Sequence, residues 1–149
     1  MSGGAGGEPA IGGRIVEGRH FLPVRVYYED TDFSGIVYHA NYLKFCERGR
    51  SDLLRLLGIA HRELERSGYA FAVRRMTCDF VKPARIDDLL EVVTRPLAIA
   101  GARLELAQSV QRDDDTLFAT AVTLALIDTS GRPRRLPEAL ALSLGGLMR

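Results

Sequence analysis

The residues best suited to chemistry lie together, in Asp30-Thr31-Asp32-Phe33-Ser34-Gly35-Ile36-Val37-Tyr38-His39-Ala40-Asn41. Four chemistries compete for this run. Asp30-x-Asp32-x-Ser34-Gly35 matches the first half of a calcium loop, but Asn41 stands where a bidentate Glu is required. The residues upstream also alternate as a strand, where that motif needs a helix. An Asp-x-Asp phosphotransferase needs Mg²⁺, further carboxylates and a parallel sheet, and the pattern downstream does not supply the sheet. A nucleophilic triad fares no better. Ser34 lacks a G-x-S-x-G elbow, and Cys46 lies roughly 10 Å along a helix from His39. Cys46 sits on an apolar stripe and reads as a small core residue. The fourth chemistry is acid–base catalysis without a metal. Asp32 lies in a turn, and His39 lies at a helix start whose N–H groups and dipole can polarise a carbonyl. A carboxylate beside it can activate water or attack directly. Spacing alone equally allows Asp32 as a turn cap and His39 as a half-buried structural histidine, so the pattern by itself leaves the choice open.

The elements that must hold these residues are legible around them. Residues 21–28 alternate as a strand, with Val24, Val26 and Tyr28 on one face and Pro23 restricting it to an edge or strand start. From about Asn41 to Leu57 the apolar positions Tyr42, Phe45, Cys46, Leu53, Leu56 and Leu57 form a helical stripe. Asn41 is the expected N-cap and Gly58 the expected C′ residue. Gly49 on that stripe predicts close approach of another backbone, and so a helix tight against a sheet. His61 to Ser67 reads as one or two further helical turns. Everything after residue 68 reads as strands joined by short turns, with an edge or bulge expected at Pro96. The order predicts an α+β fold, one curved antiparallel sheet of about five strands wrapped around one long helix.

Composition narrows the class. The 149 residues carry 20 Lys+Arg against 19 Asp+Glu, a net charge of +1, with 46% hydrophobic content. That balance argues against a nucleic-acid binder and against a disordered acidic chain. Residues 1–13 hold six glycines and read as a disordered leader, leaving 14–149 as a single domain. No stretch is apolar enough for a membrane span or a secretory signal. Two cysteines without CxxC spacing fit a reducing cytoplasm.

The run from Val24 to Leu43, continuing Glu47-Arg48-Gly49-Arg50, resembles the signature of hotdog-fold acyl-CoA thioesterases. It is most similar to the Tol–Pal-associated (YbgC-type) branch of the 4-hydroxybenzoyl-CoA thioesterase family. Residues 71–77 and 82–92 resemble the same branch, and the likeness spans roughly residues 22–140. The resemblance implies a hotdog fold and hydrolysis of an acyl-CoA, or of an acyl carrier protein thioester, with no cofactor. It implies Asp32 as the catalytic carboxylate. His39 would place or polarise the thioester carbonyl with the backbone N–H groups at the helix start. Gly35, Tyr38, Ala40 and Asn41 then line the substrate site. CoA phosphates need cations, and 18 of the 20 basic residues are arginine, which suits bidentate phosphate contact. Arg74 and Arg75 are the expected phosphate contacts, with Lys82, Arg85, Arg132, Arg134 and Arg135 as further candidates. Glu47, two turns from His39 and beside Arg48 and Arg50, is expected in an ion pair at the helix surface or at an interface rather than in catalysis. Asp87 and Asp88 read as turn residues. The resemblance also implies a homodimer or homotetramer with acyl pockets at the protomer boundary, and peripheral association with the inner membrane. The rival readings are a non-catalytic thioester-binding scaffold and a hotdog hydratase or dehydratase.

Overall fold

Six strands make one antiparallel sheet in the computed structural model, which describes residues 12–59 and 61–149. The strands are β1 (Arg14–Val16), β2 (Arg19–Arg25), β3 (Tyr69–Phe80), β4 (Leu89–Ala100), β5 (Arg103–Arg112) and β6 (Asp115–Asp128). Their spatial order is β1-β2-β4-β5-β6-β3, so β1 and β3 are the edges. The helices are α1 (His39–Leu56), α2 (His61–Arg66) and α3 (Glu138–Leu147). This is the expected hotdog architecture, a long helix against an antiparallel sheet, with the short β1 added. Residues 1–11 of the expected leader lie outside the described residues. Gly13 is already tied in, its N–H donating to Asp52 Oδ2 at 2.8 Å.

α1 lies against the sheet because its stripe is apolar and small in the right places. Tyr42, Phe45, Cys46, Gly49 and Leu53 are buried on it. A Cβ on Gly49 would stand 2.9 Å from Val92 Cγ1 and 3.2 Å from Thr94 Oγ1. The helix is therefore tight against β4, but against its side chains, where a neighbouring backbone was expected. A polar seam adds register. Gln108 Nε2 donates to the Cys46 carbonyl and to Thr94 Oγ1, both at 2.9 Å, and Arg50 Nη1 donates to Gln108 Oε1 at 3.0 Å.

Four local expectations are corrected. Tyr28 does not share a strand face with Val24 and Val26, because the strand ends at Arg25 and Tyr28 opens a 3-10 turn, 81% exposed. Asn41 is not the N-cap. The helix starts at His39, Tyr38 is the N-cap, and the Asn41 side chain bonds backward instead. Leu56 faces solvent, and the stripe is completed by Asp52, whose charge disguised it. Finally, the chain does not end in strands. Leu140 and Leu144 of α3 are buried against Leu53, Leu104 and Leu136.

Asp52 is buried with a partner. His20, fully buried on β2, lies with Nε2 2.7 Å from Asp52 Oδ2, and Arg55 pairs with Oδ1. Burial alone would raise this carboxyl. The bonds from His20, the Gly13 N–H and Arg55 outweigh it and hold Asp52 below the usual carboxylate range. Pro96 falls at a register shift in the β4–β5 ladder, as expected. No helix among the described residues is long and apolar enough to cross a membrane.

Candidate active site

The two carboxylates of the acidic turn are sorted by their surroundings. After β2, Val26 exchanges backbone hydrogen bonds with the 87–88 loop, and the chain enters the 3-10 turn Tyr28–Asp30. Asp30 is 8% exposed, and its Oδ2 accepts from the Tyr27 N–H at 2.9 Å. The Asp30 carbonyl accepts from the Tyr38 N–H at 2.9 Å and from Asn41 Nδ2 at 2.8 Å. Asp30 is thus the structural carboxylate, a brace between the turn and α1.

Asp32 is exposed. Its backbone closes the loop through Asp32 N–H to the Ile36 carbonyl at 2.9 Å and Gly35 N–H to the Asp32 carbonyl at 3.0 Å. Gly35 has φ +78°, a conformation that favours glycine, which accounts for glycine at this position. The Asp32 carboxylate accepts from the Ser34 hydroxyl, and that bond with the Ser34 N–H holds its carboxyl below the usual range.

His39 is the first residue of α1 and is exposed. Its ring lies 4.4 Å from that of Tyr38 and edge-on to Phe80 at 6.1 Å. The Asn41 N–H bonds to the Tyr38 carbonyl at 2.8 Å, while the His39 and Ala40 N–H groups meet no acceptor among the described residues. They are the orphan donors of a helix start. A cleft of about 320 Å³ opens beside His39, walled by Ile36, Val37, Tyr42, Phe80, Val81, Lys82 and Pro83. The Tyr42 hydroxyl accepts from the Ala84 N–H at 3.0 Å, and burial pushes its ionisation up, so the cleft wall there is uncharged.

Asp32 is not in the wall of that cleft, and its carboxylate is bonded to Ser34, not to His39. Arg74 and Arg75 are not brought to it either. They are exposed at a bulge in β3, where the register slips between Val73 and Arg75, and Phe80 lies roughly 17–20 Å further along the strand. Lys82 pairs with Asp115 at 3.2 Å and Arg134 with Asp128 at 2.8 Å. Within the chain Arg50 donates to Gln108 while staying in electrostatic contact with Glu47, and the Arg48 guanidinium lies 5.7 Å from the Phe45 ring. Burial pushes the Cys46 thiol up to about 12, which removes it as a nucleophile. Asp88 accepts from the Arg85 N–H and pairs with Arg112, both at 2.8 Å, as a turn residue should. The cleft residues Phe80 and Val81 and the grip of Ser34 on Asp32 escaped the sequence reading. Only the apolar alternation into Pro83 hinted at the former.

A long helix laid against one antiparallel sheet is the hotdog architecture. The profile of the thioesterase superfamily matches residues 34–119. The acyl-CoA thioester hydrolase YbgC of Escherichia coli is 41% identical over 120 residues, covering 79% of this chain and 90% of that protein. The acyl-CoA thioesterase YbgC of Haemophilus influenzae is 42% identical over 108 residues, 72% of this chain and 79% of that protein. The crystal structure of a probable thioesterase from Bartonella henselae superposes with a TM-score of 0.77 at 45% identity, covering 80% of this chain and 99% of that one. The chain belongs to the thioesterase superfamily and is a thioester hydrolase.

Proposed function

We propose that the protein hydrolyses acyl-CoA thioesters to the free acid and CoA, with Asp32 as the reacting carboxylate. The observation that carries this is the exposed Asp32 carboxylate on the turn leading into α1, whose His39 and Ala40 N–H groups meet no acceptor among the described residues beside a cleft walled mostly by apolar side chains. These donors would hold the thioester oxygen as it becomes an oxyanion, with the His39 ring orienting the carbonyl. Gly35 shapes the turn, Tyr38 and Asn41 fix the helix start, and the cleft takes the acyl end. In the general-base route, Asp32 takes a proton from water as its oxygen bonds to the carbonyl carbon. The tetrahedral intermediate collapses, the C–S bond breaks, and the CoA thiolate leaves and takes that proton back. In the nucleophilic route, an Asp32 oxygen attacks, CoA leaves as thiolate, and water opens the mixed anhydride.

Arg74 and Arg75 stand far along β3 from the cleft of their own protomer, so their proposed contact with CoA phosphates requires a second chain. The proposed assembly is a homodimer, or a pair of dimers, joined through the β3 edge. The proposed setting is the cytoplasm, at the inner membrane surface in the service of the Tol–Pal system. Turnover on a panel of acyl-CoA and acyl carrier protein thioesters, followed by thiol release, tests the activity. Release is expected with at least one CoA ester; none with any thioester would leave a binding scaffold. Label in the Asp32 carboxylate after a single turnover in ¹⁸O-water would establish the anhydride route, with water opening it at the Asp32 carbonyl.

A further inference from the structure

The Asp32 carboxylate is gripped by one residue on one oxygen. The Ser34 N–H donates to Asp32 Oδ1 at 2.9 Å, and the Ser34 hydroxyl donates to the same atom at 2.6 Å. Two donors fill the acceptor directions of Oδ1 and leave Oδ2 clear of Ser34. The second bond is short because its acceptor is charged. The loop does not need that hydroxyl for its shape. Its backbone is closed by Asp32 with Ile36, by Gly35 with Asp32, and by the bridge between Thr31 and Val37. The charged and titratable groups on the adjoining elements are Tyr28, Glu29 and Asp30 on the 3-10 turn, Tyr38 and His39 at the start of α1, and Arg85, Asp87 and Asp88 on the loop bridged to Ile36. None of them forms an ion pair with Asp32, and the Asp30 carboxylate is spent on the Tyr27 N–H.

We propose that Ser34 is a positioning residue for the hydrolysis, clamping Asp32 Oδ1 so that Oδ2 is the oxygen presented to water or to the thioester carbonyl. The inference rests on Asp32 being the reacting carboxylate. Ser34 also stabilises the ionised form through both bonds, so Asp32 stays a carboxylate into acid solution. Removing the hydroxyl then has two separate consequences. The carboxylate turns more freely, which lowers kcat, and it protonates more readily, which moves the acid limb of the pH profile toward neutrality.

The test compares Ser34→Ala, Ser34→Thr and Asp32→Asn, using kcat and KM across pH on an acyl-CoA that the parent protein turns over. The Asp32 carboxyl carbon is titrated in parallel by ¹³C NMR. Ser34→Ala is expected to lose about tenfold in kcat, the worth of one charge-assisted hydrogen bond at a reacting group, with KM little changed. Its acid limb and its carboxyl titration should both move to higher pH. Ser34→Thr, which keeps a hydroxyl, should restore both. An inactive Asp32→Asn beside a Ser34→Ala protein with the parent's kcat and acid limb overturns the role of Ser34 alone. Normal turnover by Asp32→Asn overturns the assignment of Asp32, and the role of Ser34 with it.

Discussion

Asp32 and His39 sit at the two ends of one loop without touching, and their surroundings separate what each can do. The exposed carboxylate, held ionised by Ser34, suits proton transfer or attack. The His39 ring, beside Tyr38 and Phe80, suits orientation of a carbonyl. Asp32→Asn keeps the shape and removes the base or nucleophile, so kcat is expected to fall by at least about 10²-fold. The thermal midpoint should stay, since Asp32 is exposed. Near-normal turnover in a folded Asp32→Asn protein would move the site to another carboxylate. His39→Ala is expected to lose activity without abolishing it, because the backbone donors at the helix start survive the change. A loss as deep as that of Asp32→Asn would make the imidazole an essential acid–base group. At this scale the sequence announced the turn but not the division of labour within it. Asp30 and Asp32 are two positions apart and look alike in a string of letters. Only the backbone path shows that Asp30 is consumed by Tyr27, while Asp32 faces out.

The long helix depends on two residues with opposite logic. Gly49 costs α1 about 1 kcal/mol of propensity relative to Ala, yet its missing Cβ is what lets α1 meet Val92 and Thr94. Val92 is buried and β-branched, and Thr94 is held by Gln108, so neither yields easily. Overpacking there costs about 1–3 kcal/mol. Gly49→Ala should therefore destabilise despite the better helix former, read as a lower urea midpoint; a raised midpoint would show that β4 moves aside. Asp52 works the other way, as a charge the helix buries with a partner. Asp52→Ala should cost about 1–3 kcal/mol, the scale for leaving the buried His20 ring nitrogen without its partner. Its carboxyl is depressed in the folded chain, so its contribution is complete above the unfolded value of about 3.9 and fades as pH falls through the lower folded value. The parent should thus lose stability on acidification below about pH 4, and Asp52→Ala should lose less over that interval. Equal acid sensitivity would remove Asp52 from the account. Proline's missing N–H located the irregularity at Pro96, and periodicity located α1 and the long alternating strand β6 because burial there follows apolar residue type. It misplaced the stripe at Asp52, where a partner on β2 replaces hydrophobicity, and missed α3, whose nearly all-apolar Leu-Ala run carries no helical period.

The sheet as a whole ends very differently on its two sides. β1 is three residues long, whereas β3 runs twelve residues with one flank unpaired. Such an edge, about 40 Å long, offers a row of unpaired N–H and C=O groups, which proteins normally cover or blunt. Arg74 and Arg75 at its bulge are a partial blunting device, since charge and irregularity both discourage indiscriminate pairing. Val73 and Phe80 work against that, 48% and 52% exposed on the same strand. A second copy turned about a twofold axis would cover both, pairing β3 with β3 in antiparallel fashion. Gly49 has no part in such a contact, because its open side is filled by Val92 and Thr94 of its own β4. The proposed dimer makes two demands that one measurement series can meet. Sedimentation at low protein concentration should return a dimer or tetramer. Hydrogen exchange should show protection of the alternate β3 amides that point away from β6, which a monomer leaves open to water. A fully active monomer with fast exchange along that flank would overturn the assembly. It would also leave Arg74 and Arg75 without a route to the CoA phosphates, because within one chain the strand keeps them far from the cleft beside His39.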